Sequence, residues 1–154
     1  MGGGAVLELS HEIDYLLEFF HVLEVLSSNS SRLSSLNIDV EDSAEVVLIG
    51  KNGPHQKVLV SLSLDFISHK TERYCQIVCD NATIEWDILQ GTINFYENKT
   101  PCRLLSKEED PVSETYIKQM HDFLKDDSPN QNLAEFRRCV DIANIVQSIR
   151  RKSP

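Results

Sequence analysis

Basic residues are scarce in this 154-residue chain: 15 Lys and Arg stand against 24 Asp and Glu, a net charge of −9. That balance argues against nucleic acid as a partner, because phosphate binding needs clustered Lys and Arg. The one basic cluster, Arg150-Arg151-Lys152, is expected to complement the negative end of a final helix. No run of about 18 apolar residues occurs, so no membrane span is expected. No basic segment leads into an apolar stretch at the N-terminus, so no secretory signal is expected. Val6 stands where a myristoylation motif needs Ser or Thr. The sequons at Asn29, Asn81 and Asn98 would matter only in a secreted chain.

Cysteine is also sparse. Cys75, Cys79, Cys102 and Cys139 form no C-x-x-C pair. Cys75 and Cys79 fall in one expected strand, about 13 Å apart on the same face, too far for one disulfide or one zinc ion. Four reduced structural thiols and a cytoplasmic location are expected, with no metal site. There is no P-loop and no G-x-G-x-x-G following a strand, so no cofactor is expected to bind this chain by itself. The length fits one domain, 1–154, with a real core.

What is present is a pattern of helix, strands, then helices. From Glu8 to about Leu23, Leu9, Ile13, Leu16, Leu17 and Phe20 recur at helical spacing. A strand begins at 22–30 and fades into the polar run Ser27-Ser28-Asn29-Ser30-Ser31, followed by an irregular link over 31–40. Strands are expected at 43–50 and 57–67, joined by a turn at Lys51-Asn52-Gly53-Pro54. In the second of these, Val58, Val60, Leu62, Leu64 and Phe66 face one way while Ser61, Ser63 and Asp65 face the other. Further strands run from Arg73 to Cys79, Thr83 to Leu89 and Thr92 to Glu97, the last two forming a hairpin about Gln90-Gly91. Helices close the chain at about Ser113–Lys125 and Asn132–Arg150, the last expected to bury Leu133, Phe136, Cys139, Val140, Ile142, Ala143, Val146 and Ile149. The fold class is α+β: an open, mainly antiparallel sheet with helices packed on one face.

The polar residues with a chemical pattern lie near the start. Glu8 and His11 are three apart, as are His11 and Asp14, so a continuous helix stacks them on one face, with Glu12 one turn after Glu8. A carboxylate beside an imidazole orients it and raises its pKa, which suits general acid–base work. On residue types alone, a His flanked by acids near a helix start is more often a surface residue.

The segment Gly2-Gly3-Gly4-Ala5-Val6-Leu7-Glu8-Leu9-Ser10-His11-Glu12-Ile13-Asp14-Tyr15 resembles the signature that opens the C-terminal domain of the Gfo/Idh/MocA oxidoreductases. Later segments agree in order. Asn37-Ile38-Asp39-Val40-Glu41-Asp42-Ser43-Ala44-Glu45 resembles that family's run into its sheet, and Gly50-Lys51-Asn52-Gly53 its next hairpin turn. Ser63-Leu64-Asp65-Phe66 resembles a strand end, and Asn81-Ala82-Thr83-Ile84-Glu85-Trp86-Asp87 a further strand. Together these cover most of residues 2–97.

The resemblance implies a dihydrodipicolinate reductase-like C-terminal domain that binds substrate and mediates oligomerisation. The N-terminal Rossmann domain, which would bring NAD or NADP and a Glu-Lys-Pro lysine, has no counterpart in this chain. It implies hydride transfer with a sugar or polyol, in which His11 and Glu8 are the catalytic positions and Glu8 stands where the family has Asp. Asp14, Glu12, His69 and Lys70 fall on the substrate side. The implied partners are a second copy through the open sheet face, a separate Rossmann-domain chain and a sugar-like small molecule. The chain alone is expected to be inactive, as a truncated or split enzyme; the alternative is a non-catalytic oligomerisation or sugar-binding module.

Overall fold

The structure, a computed structural model, describes residues 2–51, 56–98, 100, 103–107, 112–125 and 129–153. The chain is α+β with antiparallel sheets, and it divides into two compact units: residues 1–68 with 128–154, and residues 69–127.

The first unit holds α1 (Gly4–Glu8), α2 (His11–Phe19), β1 (Val22–Ser31), β2 (Ser43–Lys51), β3 (Lys57–Asp65) and α4 (Pro129–Lys152). Its sheet has the order β1-β2-β3 and is antiparallel throughout. Strict alternation on β2 puts Ala44, Val46, Leu48 and Gly50 on the inner face, opposite Leu64 and Leu62 of β3. Three helices cover that face alone, contributing Ala5 and Val6 from α1, Ile13 and Leu16 from α2, and Ile145, Val146 and Ile149 from α4. Burial on β3 tapers outward: Leu62 and Leu64 are enclosed, while Val58 and Phe66, at the ends of the expected inward row, are exposed. The Asn52-Gly53-Pro54 turn lies outside the described residues.

Three sequence expectations change here. The single helix over 8–23 is two helices and a strand. Leu9 caps α1, Ser10 precedes α2, and Phe20 turns extended at φ −129°, ψ 129°. Its ring then lies so close over Gly50 that a β-carbon there would sit 2.6 Å from Phe20 Cγ. The serine run is strand, not loop: β1 continues to Ser31 in register with β2. A bulge between Val25 and Ser27 resets the alternation, so Val25 and Ser28 both point inward despite being three apart. Ser28 pays for its burial with a hydrogen bond from its hydroxyl to the Ile149 carbonyl at 2.6 Å, and Ser30 Oγ donates to Ser153 Oγ at 2.8 Å.

The third change concerns α4, which starts at Pro129, a residue suited to a first helical turn. Only its C-terminal half is covered. Ile145, Val146 and Ile149 are buried, whereas Leu133, Phe136, Cys139, Val140 and Ala143, expected in the core, are exposed.

The second unit is a meander, β4 (Tyr74–Val78), β5 (Ala82–Asp87), β6 (Thr92–Glu97) and β7 (Arg103–Lys107), followed by α3 (Val112–Lys125). β7 was not anticipated. The register makes two faces: Cys75, Trp86 and Ile93 align across one, Gln76, Glu85 and Asn94 across the other. None of its described residues is buried, and Tyr116, Ile117, Met120, Phe123 and Leu124 of α3 are all exposed. Cys75, Cys79 and Cys139 are thiols; Cys102 lies outside the described residues.

Candidate functional site

The glycine-led segment is held in place from two later parts of the chain. Gly4 adopts φ +80°, and a β-carbon there would meet all three carboxyl atoms of Glu41 at 2.3–2.4 Å. The Ala5 amide donates to the Glu41 carbonyl at 2.9 Å. Arg150 of α4 closes the arrangement, donating to the Gly3 carbonyl and lying 3.3 Å from Glu41 Oε1. The basic tail therefore reaches across to other elements: Lys152 also donates to the Val25 carbonyl.

This anchoring decides where the acidic residues go. The Glu8 carboxylate turns back and accepts the Gly3 amide at 3.0 Å. Because the chain turns at Leu9 and Ser10, Glu8 ends one helix and His11 begins the next, so the expected stack of Glu8, His11 and Asp14 on one helical face does not form. His11 pairs instead with Glu12, Nε2 to Oε1 at 3.0 Å, a half-exposed imidazole on a carboxylate whose side chain is only 11% exposed. Glu12 lies in the first turn of α2, where the free N–H groups favour negative charge. An enclosed carboxylate gripping one nitrogen of an accessible imidazole fixes the ring and leaves the other nitrogen free to meet a ligand.

Asp14 is engaged from α4. Arg138 Nε donates to Asp14 Oδ1 at 2.5 Å, its Nη2 donates to the Asp14 carbonyl at 2.9 Å, and its Nη1 pairs with Glu18. The planar guanidinium suits this fork. The partners of Arg138, Glu41 and Arg150 were not read from the sequence, and no local spacing could have found partners more than a hundred residues away. His69 and Lys70 belong to the second unit. Both are exposed, and Lys70 pairs with Glu72, whose hydrogen bond raises the lysine's pKa above its ordinary value.

Beside the site, Asp42 is fully enclosed and organises the link after β1. Its carboxylate accepts the Leu33 amide at 2.8 Å, the Ser34 amide at 2.9 Å and the Ser34 hydroxyl at 2.5 Å. The Leu33 amide, followed by the Ser34 hydroxyl, holds the Asp42 carboxyl below the ordinary value of 3.8. Among the described residues no group of His, Cys, Asp and Glu could hold a metal ion, and no helix is long and apolar enough to cross a membrane.

No protein-family model and no curated protein matches the sequence. Solved structures do match the fold. An oxidoreductase from Thermotoga maritima is similar with a TM-score of 0.67 at 17% identity, over 98% of this chain and 45% of its own. UDP-N-acetylglucosamine 3-dehydrogenase GnnA from Acidithiobacillus ferrooxidans is similar with a TM-score of 0.66 at 15% identity, over 94% of this chain and 45% of its own. The chain shares the fold of one part of these oxidoreductase structures. An oxidoreductase from Klebsiella pneumoniae matches with the same two coverages, at 17% identity and a TM-score of 0.62. The chain thus spans about half the length of the structures it resembles, and nearly all of it is used in the match.

Proposed function

We propose that this chain is the substrate-binding part of an NAD(P)-dependent oxidoreductase acting on a sugar or polyol, inactive without a nucleotide-binding part. The observation that carries the reading is the coverage: almost the whole chain matches, yet only 45% of each neighbour is accounted for. The His11–Glu12 pair supplies the chemistry this part would bring. Hydride transfer from a carbinol carbon leaves a hydroxyl proton to be removed, and His11, oriented by Glu12, is the residue that takes it or orients the hydroxyl. Glu8 supports the glycine segment, and Asp14 with Arg138 fixes the pitch of α2 against α4. The nicotinamide would supply the hydride acceptor from outside this chain. The location that goes with this reading is the cytoplasm.

The test is a fusion of this chain behind the portion of the Thermotoga maritima protein that it does not cover. The fusion is expected to reduce NAD or NADP with a polyol or sugar nucleotide, and His11→Ala to abolish that activity. The unfused chain is expected to show none. Nicotinamide reduction by the unfused chain, or a fusion whose activity is indifferent to His11→Ala, overturns the reading.

The exposed apolar row on α3 favours a second role, assembly with another copy through surfaces of the second unit, its sheet face included. Light scattering after size exclusion reads this directly: a dimer is expected, and a strict monomer at all concentrations refutes it.

A further inference from the structure

A cleft of about 640 Å³ lies in the first unit between α4 and β1, and neither His11, Glu12 nor Asp14 lines it. One wall is a single stripe of α4. Asp141, Asn144, Ser148 and Lys152 follow one another at helical spacing, with the buried Ile145 among them. The other wall is Leu17 and His21 leading into residues 22–25 of β1. The volume is that of a small-molecule site.

Three charged side chains line the cleft, and two of them are compensated. Glu24 accepts a hydrogen bond from Lys51 at 2.7 Å. That bond, then the Lys51 charge itself, holds the Glu24 carboxyl below its ordinary value, and the Lys152 charge lowers it further. Lys152 in turn donates to the Val25 carbonyl, which fixes its ammonium at the strand edge. Asp141 differs, since it makes no hydrogen bond or ion pair among the described residues. The cleft thus keeps one unanswered negative charge, in a chain whose net charge is −9. Asn144 and Ser148 on the same stripe, and His21 on the facing wall, likewise make no hydrogen bond among the described residues. Each of them carries an acceptor atom.

We propose that this cleft binds a small organic amine, a protonated ammonium on an apolar body, with Asp141 as its counter-ion. An ammonium has three N–H donors and no acceptor, which matches a carboxylate accompanied by unpartnered acceptor atoms. The apolar body lies on Leu17, Leu23, Val25 and Ile145. An anion finds no open cation here, because Lys152 is engaged, and it meets Asp141. A neutral ligand leaves the Asp141 charge unanswered. Lys152 also interrupts the β1 edge at Val25, so an extended peptide has no continuous edge to pair with, whereas a free amine needs none. The site does not depend on the function proposed above, since it requires no nucleotide and no second chain.

The test is titration of the full 154-residue chain with three probes of one shape, followed by amide NMR: 3-phenylpropylamine, 3-phenylpropan-1-ol and 3-phenylpropionate. The amine is expected to give saturable shifts at the Asn144 side-chain amide and at backbone amides near Leu23 and Ser148, with a dissociation constant on the order of 1–10 mM. The alcohol is expected to bind about fivefold more weakly, and the carboxylate more weakly still. Asp141→Asn, at an exposed position, keeps the side chain's size and is expected to bring the amine down to the level of the alcohol. Asp39→Asn removes the same charge from an exposed position outside the cleft and is expected to leave the preference intact. Shifts that stay linear throughout the titration or centre on His11 overturn the proposal. So do equal binding of amine and alcohol, a preference that survives Asp141→Asn, or one that is lost in Asp39→Asn. A failure of the oxidoreductase fusion would leave this result standing, and the reverse also holds.

Discussion

Replacing Gly4 by alanine should destabilise the chain by about 1.5 kcal/mol, through two separable causes. The first is backbone strain. Gly4 sits at φ +80°, and holding an L-residue there costs about 1–2 kcal/mol. The second is the new methyl group, which would overlap the Glu41 carboxyl at 2.3–2.4 Å. Glu41 is only 15% exposed and ion-paired to Arg150, so it must abandon that pair to make room, at about 0–1 kcal/mol for a partly exposed pair. Reduced freedom of the unfolded chain returns about 0.4–1 kcal/mol. For a chain of this length each kcal/mol lowers the melting temperature by about 2–4 °C, so a drop of about 3–6 °C is expected by circular dichroism. The causes separate in a double-mutant cycle. In a Glu41→Ala background the overlap is gone and only the dihedral cost remains, so Gly4→Ala should there cost about 1 kcal/mol. A Gly4→Ala chain that melts with the parent refutes the strain argument. An identical cost in both backgrounds refutes the overlap with Glu41.

Three further outcomes follow from the packing and the charges. Ile149 is fully enclosed beneath the sheet, so Ile149→Ala should cost about 2–5 kcal/mol in urea unfolding, whereas Ile149→Val should cost about 0.5–1.5 kcal/mol. Asp42 has its carboxyl held below 3.8, so its contribution to stability is complete above that pH and is lost as the pH falls through the lower folded value; Asp42→Asn should flatten the acid limb of a stability–pH curve below about pH 4. Arg138→Met keeps most of the aliphatic stem but breaks the fork on Asp14 and Glu18, and should lower the urea midpoint by the equivalent of about 1 kcal/mol, with faster amide exchange in α2.

The parts of this fold that sequence periodicity reveals are those where one face is fully covered. Ala44, Val46 and Leu48, facing Leu62 and Leu64, alternate because three helices lie over them, and both strands were placed within a residue or two. β1 was obscured because its serines carry no apolar signal. They are strand because β2 pairs with them and because the α4 end accepts and returns their hydroxyl hydrogen bonds. The two final helices were placed from their periodicity, but the burial of the first half of the last one was misjudged. An apolar stripe states that a surface wants cover, not that this chain provides it. In the candidate site, His11 and its acidic neighbours stood out by residue type. The partner was misassigned because a turn of two residues, Leu9 and Ser10, breaks the helical spacing that would have stacked Glu8 beneath His11. Neighbours one apart do not share a helical face, so the Glu12 contact had no periodic signal.

The bonds joining β1 to the end of α4 span 121 to 127 positions of sequence, and residues 69–127 lie between as a unit of their own. Synthesis from the ribosome therefore delivers the sheet of the first unit long before its lid. Val25, Val46 and Leu48 must wait, only partly covered by α1 and α2, while the whole intervening meander is made, until residues 145–153 emerge to close over them. During that interval the bulge at Leu26 and the serines of β1 have a protective effect: a kinked, hydroxyl-rich edge is a poor template for a second nascent chain.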